Sequence, residues 1–508
     1  MVDRIRAVSP LAALPVPLLA VPAVICGAAY LALVVVDRNR GTLRADVTPT
    51  TLWLLAVATV GYGLAVLLTE RAGRANRHGS GEPDASGSAR SLRLLWAGPI
   101  VFRLLLVFTD PTLSDDVYRY LWDGHVLSNG VNPYSHAIAA AELDRLAIPI
   151  RDLANNPDLS SPYLPTLQLL FAGLSLIAPS EPVVIQVVMV AFDLAAAWLL
   201  WRLLPLAGLP ASRVLLYLWH PLVIVESAHG AHFDGLLTFL VLAAALAAFR
   251  PAGSLPARAD RRSWSPVLLA LGTLTRPVPA LLAPVLWWRW RWSERVVFAA
   301  VLVGLVVPFG FGVSGWGLVT SDGTGVFGSA RVYSDQFRFN AVVATWIERL
   351  TPDPETYRLV TGALIVAVLA AVFVAARPAD GAATRSADRQ EAGTVEVRRL
   401  LRLMSVPLAA YVVLTPVLHP WYLVLPIALG AFLTPAGEEW PGRWWSVAPL
   451  GYLAAIVPLS YLTYVDPDDF RELDIVRRIQ WWPALVLSGV AAIMTVWHRR
   501  TTTVEGST

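Results

Sequence analysis

The sequence contains no lysine and one cysteine, and charged residues make up only 15% of its 508 positions. Cys26 has no partner in the chain, which excludes an intrachain disulfide and a cysteine-based metal cluster. All 40 basic residues are arginines, which stand mostly in short loops, and the formal net charge is +3. Arginines distributed in this way report membrane topology and do not form the basic stripe of a nucleic-acid-binding protein. We therefore expect no nucleic acid partner.

The motifs of common soluble enzymes are also missing. The sequence has no Walker A motif, no G-x-G-x-x-G after a strand pattern and no serine nucleophile elbow. We find no convincing repeat with a period of roughly 20 to 50 residues and no soluble domain. Nucleotide hydrolysis and the usual soluble chemistries therefore find no support in this chain.

Long apolar runs dominate what is present. Hydrophobic residues make up 56% of the chain, and runs of roughly 17 to 22 of them match a hydrocarbon core of about 30 Å. The pattern predicts an all-α polytopic membrane protein, a single integral-membrane domain over residues 1–508 with about 12–14 transmembrane helices. The candidate spans are 18–36, 51–69, 92–108, 163–178, 183–204, 213–228, 235–249, 267–288, 296–313, 357–375, 403–418, 421–433, 447–464 and 481–497.

The arginine-rich loops predict the orientation, because loops rich in arginine stay in the cytoplasm. Residues 70–93 and 377–402 hold five and six arginines, whereas 110–162 holds eight acids against three arginines. The acidic segment should then lie outside the inner or plasma membrane. The cytoplasmic loops are 70–93, 250–262, 289–295, 377–402 and 499–500, and the external segments are 110–162, 314–340 and 466–478.

Two candidate spans conflict with this orientation. Five candidate spans lie between the cytoplasmic loops 70–93 and 250–262. Two loops on the same side of a membrane must be separated by an even number of spans. One of the five, 163–178 or 235–249, should therefore be re-entrant or incomplete. Span 267–288 has arginine-rich loops on both sides and carries Arg276 between Thr275 and two prolines. It is either a broken helix pair that brings Arg276 to a polar cavity, or a kinked helix whose arginine snorkels.

Residues 113–134, which read LSDDVYRYLWDGHVLSNGVNPY, combine ionisable and aromatic groups directly after an apolar run. Apolar residues at three- and four-residue spacing predict an amphipathic helix with Ser114 as its N-cap. Asp115 and Asp116 either cap this helix or carry chemistry at the membrane surface. The external segment, about 53 residues long, should hold two or three amphipathic helices that form a lid or floor. Its substrate-binding candidates are Tyr118, Arg119, Trp122, Asp123 and Tyr134.

Two further groups carry candidate residues. Glu226, His229 and His232 step by three, which could align them on one helical face as a metal site with Asp234. Gly230 and Gly235 instead favour a turn whose polar residues bind a substrate. The second group places His419, Trp421 and Tyr422 between two apolar runs. These cationic and imidazole side chains are candidate ligands for the phosphate group of a substrate: His419, Arg276, Arg331 and Arg338.

The order of these motifs resembles that of the bacterial polyprenol-phosphate-mannose-dependent mannosyltransferases, members of the GT-C superfamily that build phosphatidylinositol mannosides and lipomannan. The resemblance covers about residues 92–435. It implies a GT-C fold and an acidic base in the first long external loop, here Asp115 or Asp116, and among the later binding residues it points best to His419. Two helices before residue 92 depart from the simplest family layout. The motifs are SDDVYRYLWDG, NGVNPY, SPYLPTLQLLF, FDLAAAWLLWRLL, WHPLVIVESAHGAHFDG, LTRP and LHPWYL.

The chemistry agrees with this resemblance. A polyprenyl phosphate leaves without being protonated, so one carboxylate suffices to take the proton of the acceptor hydroxyl. The expected partners are polyprenyl-phosphate-mannose, a glycolipid or glycan acceptor and the lipid bilayer. The expected transfer is inverting, and no cofactor is expected, with a divalent metal left open. The alternatives are a transporter or flippase for a lipid-linked or anionic substrate, and a metal-dependent membrane hydrolase.

Overall fold

The computed structural model of the protein is helical throughout the residues it describes. Those residues contain no strand, and their one isolated β-bridge joins Phe339 to Val417. An all-α polytopic membrane protein is therefore confirmed. The described residues are 16–37, 48–78, 85–249, 264–310, 324–378, 386–433, 444–465 and 474–505. The predicted cytoplasmic loop 250–262 and parts of the loops 70–93 and 377–402 lie outside them.

The first three long helices pack together, and small residues let the first two approach closely. The Sγ atom of the buried Cys26 donates to the carbonyl of Ala58 at 3.4 Å, and a Cβ at Gly61 would lie only 2.7 Å from that sulfur. The opposite faces carry exposed apolar side chains such as Val24 and Trp53, as expected for lipid contact. The three helices are α1 (Val16–Asp37), α2 (Thr48–His78) and α3 (Ala85–Leu106).

The acidic segment, residues 110–162, folds beside the membrane domain. It contains one α-helix, α4 (Asp116–Ser128), and two 3-10 turns at Ala141–Leu146 and Pro149–Leu153. The next helix, α5 (Pro165–Ser175), packs closely on α4 because Gly124 has no side chain: a Cβ there would meet the Phe171 carbonyl at 2.4 Å. With 11 residues α5 is about 17 Å long, too short to cross a bilayer, which agrees with an incomplete span at 163–178.

The following helices are repeatedly broken. A helix pair bends by 116° between His229 and Asp234, and the span predicted at 267–288 divides into α10 and a series of short turns. The prolines around Arg276 explain this break, which confirms the broken-helix interpretation. These helices are α6 (Pro182–Leu206), α7 (Leu215–Leu218), α8 (Pro221–Ile224), α9 (Asp234–Phe249), α10 (Trp264–Thr273) and α11 (Ala283–Leu286).

The remaining helices complete the bundle. They are α12 (Trp292–Gly310), α13 (Gly328–Gln336), α14 (Val342–Leu350), α15 (Pro354–Ala375), α16 (Ser386–Leu414), α17 (Val424–Gly430), α18 (Ala448–Ile456) and α19 (Asp474–Glu505). Within the described ranges, five helices are long and apolar enough to cross a membrane, or six if the bent pair counts as one span. The larger number of 12–14 spans stays a prediction.

The membrane helices place the arginine-rich segments and the acidic segment at opposite ends. At one end, Arg398 of α16 donates to the Ala207 carbonyl beyond α6 at 2.6 Å, and Arg399 donates to the carbonyl of Arg377 beyond α15 at 3.0 Å. We call this the arginine end.

At the other end the same helices meet the acidic segment. Gln186, in the first turns of α6, donates to the Thr109 carbonyl at 2.9 Å, and Asn132 of the acidic segment donates to the Phe309 carbonyl of α12 at 2.7 Å. We call this the acidic end. The separation matches the charge pattern on which the orientation was predicted.

Candidate active site

The two neighbouring aspartates lie where α4 begins, at the acidic end. Ser114 was predicted to cap this helix, and that prediction is wrong: α4 begins at Asp116 with Asp115 in the N-cap position. The Ser114 hydroxyl accepts only from the Asp116 N–H, at 3.3 Å. Asp115 makes no side-chain capping hydrogen bond either. A capping role therefore does not explain why an aspartate stands at position 115.

A single side-chain amide bridges the two carboxylates. The Nδ2 group of Asn155 donates to Asp115 Oδ1 at 2.7 Å and to Asp116 Oδ1 at 2.8 Å, which uses both of its hydrogens. Asn156 follows with a left-handed backbone, φ 50°, and its own amide donates to the Tyr333 hydroxyl at 2.7 Å. Sequence reasoning missed Asn155, although a consecutive Asn pair does signal a position that tolerates this conformation.

The carboxylates are close enough to influence each other's ionisation. Burial, followed by the negative charge of Asp116, raises the pKa of Asp115 to about 6. A carboxyl group that takes up a proton just below neutral pH is suited to general base catalysis.

Arg119 and Asp123 hold the loop that carries Asn155. The guanidinium of Arg119 donates to Asp123 Oδ1 at 3.0 Å, to the Asn155 carbonyl at 3.1 Å and to the Leu159 carbonyl at 3.0 Å. The Ser161 hydroxyl donates to the other oxygen of Asp123. Both charged side chains are buried, so their evident role is to position the bridging amide.

Trp122 and Tyr134 are fully buried in the packing around the acidic segment, whereas Tyr118 is only partly buried. The structure thus places the predicted substrate-binding residues of this segment around and beneath the carboxylate pair. Direct contact with a substrate stays a prediction for all of them.

An unusual backbone places His232 opposite these carboxylates. Residues Val225–His229 form a π-helical turn, a rare element that is frequent at functional sites. Ala231 follows with φ 58°, which is strained for a residue with a Cβ. A Cβ at Gly230 would lie 2.6 Å from His232 Nδ1, so only glycine leaves room for the ring. The strain therefore fixes where the imidazole points.

His232 lies between two carboxylates. Its Nδ1 atom lies 2.8 Å from Glu226 Oε2, and its Nε2 atom lies 3.9 Å from Asp116 Oδ2. The hydroxyl of Tyr461 donates toward both oxygens of Glu226, at 2.9 and 3.0 Å. His232 and Glu226 are both buried, whereas the Asp116 side chain is 21% exposed. Of the three groups, Asp116 is the one open to a substrate.

His229 faces away from this arrangement. Its Nδ1 atom lies 2.8 Å from the Thr109 hydroxyl, its Nε2 atom 3.0 Å from the Thr112 hydroxyl, and Asp37 lies 3.5 Å from the same Nε2. Of the two alternatives for these residues, the fold adopts the turn and not one shared helical face, because the chain changes direction at Gly230 and Ala231, between the two histidines. Across the described ranges no group of three or more His, Cys, Asp or Glu side chains could hold a metal ion.

A column of stacked rings leads from His232 to His419. His232 stacks on Trp421 at 3.8 Å between ring centroids, and Trp421 stacks on His419 at 4.4 Å. Phe339 lies on the far side of His419 at 4.8 Å. His419 is partly buried, and its Nδ1 atom, which is shielded from solvent, has no hydrogen-bond partner among the described residues. The fold thus joins two histidines that lie far apart in the sequence.

Arg276 lies beside this column. Its guanidinium pairs with Asp234 through contacts of 2.5 and 3.4 Å, and it lies 4.0 Å from the centroid of the Tyr422 ring and 4.8 Å from that of Phe233. Tyr422 in turn contacts His419, with 5.4 Å between ring centroids. The structure therefore brings Arg276 and His419 into contact with the same tyrosine.

The other two predicted phosphate ligands have partners of their own. Arg338 pairs with Glu348 through contacts of 3.1 and 2.9 Å and lies 5.6 Å from the Tyr357 ring centroid. Arg331 is exposed and lies 3.6 Å from Asp335. Both arginines are at the acidic end, and their role in binding phosphate stays a prediction.

The chain matches a protein family over residues 15–292, and that family is described as alpha-(1->6)-mannopyranosyltransferase, N-terminal domain. The chain belongs to this family. No curated protein and no solved structure matches it. A member of the alpha-(1->6)-mannopyranosyltransferases is a glycosyltransferase, and the matched residues include the aspartate pair, Asn155, the π-helical turn and Arg276. His419 lies outside them.

Proposed function

We propose that the protein transfers mannose from a polyprenyl-phosphate donor to a hydroxyl of a glycolipid or glycan acceptor on the external face of the inner or plasma membrane. The observation that supports it most is the carboxylate pair, bridged by Asn155 at the acidic end, beside a column of rings that carries two histidines. Within this pair Asp116 is the proposed general base, because it is partly exposed and faces His232.

The reaction needs one base and one site that binds the departing phosphate. The acceptor oxygen attacks C1 of the mannose, the bond from C1 to the phosphate oxygen breaks, and the bonding electrons leave with the phosphate. The hydroxyl proton passes to Asp116. The departing polyprenyl phosphate is a phosphomonoester that leaves without being protonated, unlike the sugar alcohol that a glycosidase releases. One displacement inverts C1, so an alpha-linked product requires a beta-linked donor.

Arg276 and His419 are the proposed ligands of the departing phosphate. Both contact Tyr422, and His419 lies at the opposite end of the ring column from His232. Asp234 holds the guanidinium in place and leaves its remaining N–H groups available, and the unpartnered Nδ1 of His419 adds a neutral contact. Donors fixed before the reaction stabilise the charge that develops on the phosphate. Arg331 and Arg338 are proposed to contribute from the rim.

The activity is tested with purified protein, radiolabelled polyprenyl-phosphate-mannose and a mannose-containing lipid acceptor. We expect labelled product that an alpha-mannosidase removes, and no product from a nucleotide-activated mannose. Transfer from the nucleotide sugar alone would contradict the proposed donor. Movement of a lipid-linked substrate across vesicles without any transfer would instead indicate a transporter.

The external position of the site rests on charge asymmetry, since the arginine end should face the cytoplasm. In a Cys26→Ala background, Ala141→Cys lies at an exposed position of the acidic segment and Ala392→Cys at an exposed position of α16, towards the arginine end. In right-side-out vesicles we expect a membrane-impermeant maleimide to label only the cysteine at 141. The cysteine at 392 should react once detergent opens the vesicles.

Cys26 itself is buried, so the unmodified protein gives the background for this labelling. The reverse pattern would put Asp115 and Asp116 in the cytoplasm. A nucleotide sugar would then be the better donor, because nucleotide sugars are available on that side.

A further inference from the structure

We propose that Glu226 and His232 form a proton relay behind Asp116, in which His232 takes the proton that Asp116 removes from the acceptor hydroxyl. The inference rests on the proposed function, because it needs Asp116 to be the base. His232 and Glu226 act through Asp116 and are positioning residues in this reaction. The structural observation behind the proposal is that one buried imidazole lies between two carboxylates from different parts of the chain.

The geometry gives each ring nitrogen a different carboxylate. Nδ1 lies 2.8 Å from Glu226 Oε2, so the tautomer protonated at Nδ1 is favoured and Nε2 keeps its lone pair. That lone pair faces Asp116 Oδ2 at 3.9 Å. Rotation of the Asp116 side chain by about 1 Å at the carboxylate would bring the two atoms to hydrogen-bond distance.

The two ring nitrogens of His232 lack hydrogen-bond partners within the described part of the chain. Neither nitrogen makes a hydrogen bond there, although Nδ1 lies 2.8 Å from Glu226 Oε2. Buried polar groups are nearly always paired, and an unpaired one calls for an explanation. A ring that must gain and lose a proton in each turnover provides such an explanation, because rigid pairing in one protonation state would oppose the transfer.

Three features hold the imidazole where it is. Trp421 stacks on its face at 3.8 Å, the His232 N–H donates to the Glu226 carbonyl at 2.8 Å, and the strained Ala231 turns the chain. Tyr461 holds Glu226 from the other side by donating to both of its oxygens. A histidine that only filled space would not require a left-handed alanine and a π-helical turn, both of which are costly backbones.

The proton can be followed through every step of the proposed relay. The acceptor hydroxyl gives its proton to Asp116 as the bond from C1 to the phosphate breaks. Asp116 passes the proton to Nε2 of His232, which becomes an imidazolium between the two carboxylates. Glu226 stabilises this cation through Nδ1–H, and Asp116 is again ionised while the product leaves. His232 then returns the proton through Asp116 to solvent.

The test replaces the imidazole and then supplies it from solution. His232→Ala is expected to lower kcat by about tenfold to 100-fold, the range of a general acid–base contribution, with little change in KM for the donor. Added imidazole should restore several-fold of the lost rate by entering the space between Trp421 and Glu226. Glu226→Gln keeps the shape but removes the charge, and it should lower kcat without imidazole rescue.

Controls separate a relay from a packing role. Imidazole should leave Asp116→Asn unchanged, and it should leave His220→Ala unchanged because that buried histidine caps α8 and packs on Tyr62. His232→Gln retains hydrogen-bonding atoms but cannot take a proton. Full activity in His232→Gln, with or without loss in the alanine variant, would overturn the relay. That result beside an inactive Asp116→Asn would leave the proposed function standing, whereas wild-type transfer by Asp116→Asn would overturn both.

Discussion

Asp116→Asn is expected to lower kcat for mannosyl transfer by about 100-fold or more, because the amide keeps the shape of the carboxylate but cannot accept the acceptor proton. The amide oxygen can still accept from Asn155, whereas His232 would keep Glu226 as its one carboxylate neighbour. The measurement is the initial rate with labelled polyprenyl-phosphate-mannose at saturating acceptor.

Asp110→Asn is the matched control for this variant. Asp110 is exposed in the same acidic segment, so its loss removes one negative charge while leaving the carboxylate pair intact. Its rate should stay within about twofold of wild type, as expected for an exposed charge. Wild-type transfer by Asp116→Asn would contradict the assignment of the base.

Asp115→Asn distinguishes the two aspartates by whether transfer survives. In the wild-type protein Asp115, whose pKa is raised to about 6, takes up a proton as the pH falls through that value, and the rate should change there because the carboxylate beside the base loses its charge. Asp115→Asn removes this group, so the change near pH 6 should disappear from the pH–rate profile while transfer continues. A loss of about 100-fold or more in Asp115→Asn would instead assign the base to Asp115.

The sequence predicted those parts of the site that depend on local chemistry. Prolines beside Arg276 interrupt the helical hydrogen bonds of an apolar run, so the sequence predicts a broken or kinked helix there. The structure contains the broken helix. The aspartate pair at the start of a polar segment after an apolar helix predicted where the carboxylates lie. In both cases the informative residues are neighbours in the chain.

The rest depends on contacts between distant segments. Asn155 lies about 40 positions after the carboxylates that it bridges, and an asparagine in a polar loop has many uses. The three-residue steps from Glu226 to His232 left both one helical face and a turn open, and the structure shows that the π-helical turn and Ala231 change the direction of the chain within those steps. The sequence shows that Arg338 is positively charged but does not show which residue it pairs with. In the fold its partner is Glu348.

A buried ion pair beneath the site is expected to dominate stability. Arg103 of α3 and Asp193 of α6 are both fully buried, with 2.5 Å between Nε and Oδ2. Arg103 also donates to the Leu218 carbonyl at 2.9 Å, and Ser227 of the π-helical turn donates to Asp193 at 3.1 Å. The pair therefore connects two membrane helices to the turn that carries Glu226.

Arg103→Leu is expected to destabilise the protein by about 3–5 kcal/mol, because it leaves the Asp193 carboxylate buried without its counter-ion. The measurement is the thermal unfolding of detergent-purified protein, followed by the loss of the monodisperse peak in size-exclusion chromatography. Ser227→Ala is the matched control, since it removes one neutral hydrogen-bond donor from the same carboxylate. It should cost only about 1 kcal/mol.

The double variant Arg103→Leu/Asp193→Leu tests whether the cost comes from the isolated charge. Replacing both partners with apolar groups removes the need to keep an ion out of water, and such replacements of a buried pair are often neutral or stabilising. We therefore expect the double variant to unfold at a higher temperature than either Arg103→Leu or Asp193→Leu alone. Additive losses in the double variant would show instead that each side chain stabilises the helices independently, through packing or through contacts such as that of Arg103 with the Leu218 carbonyl.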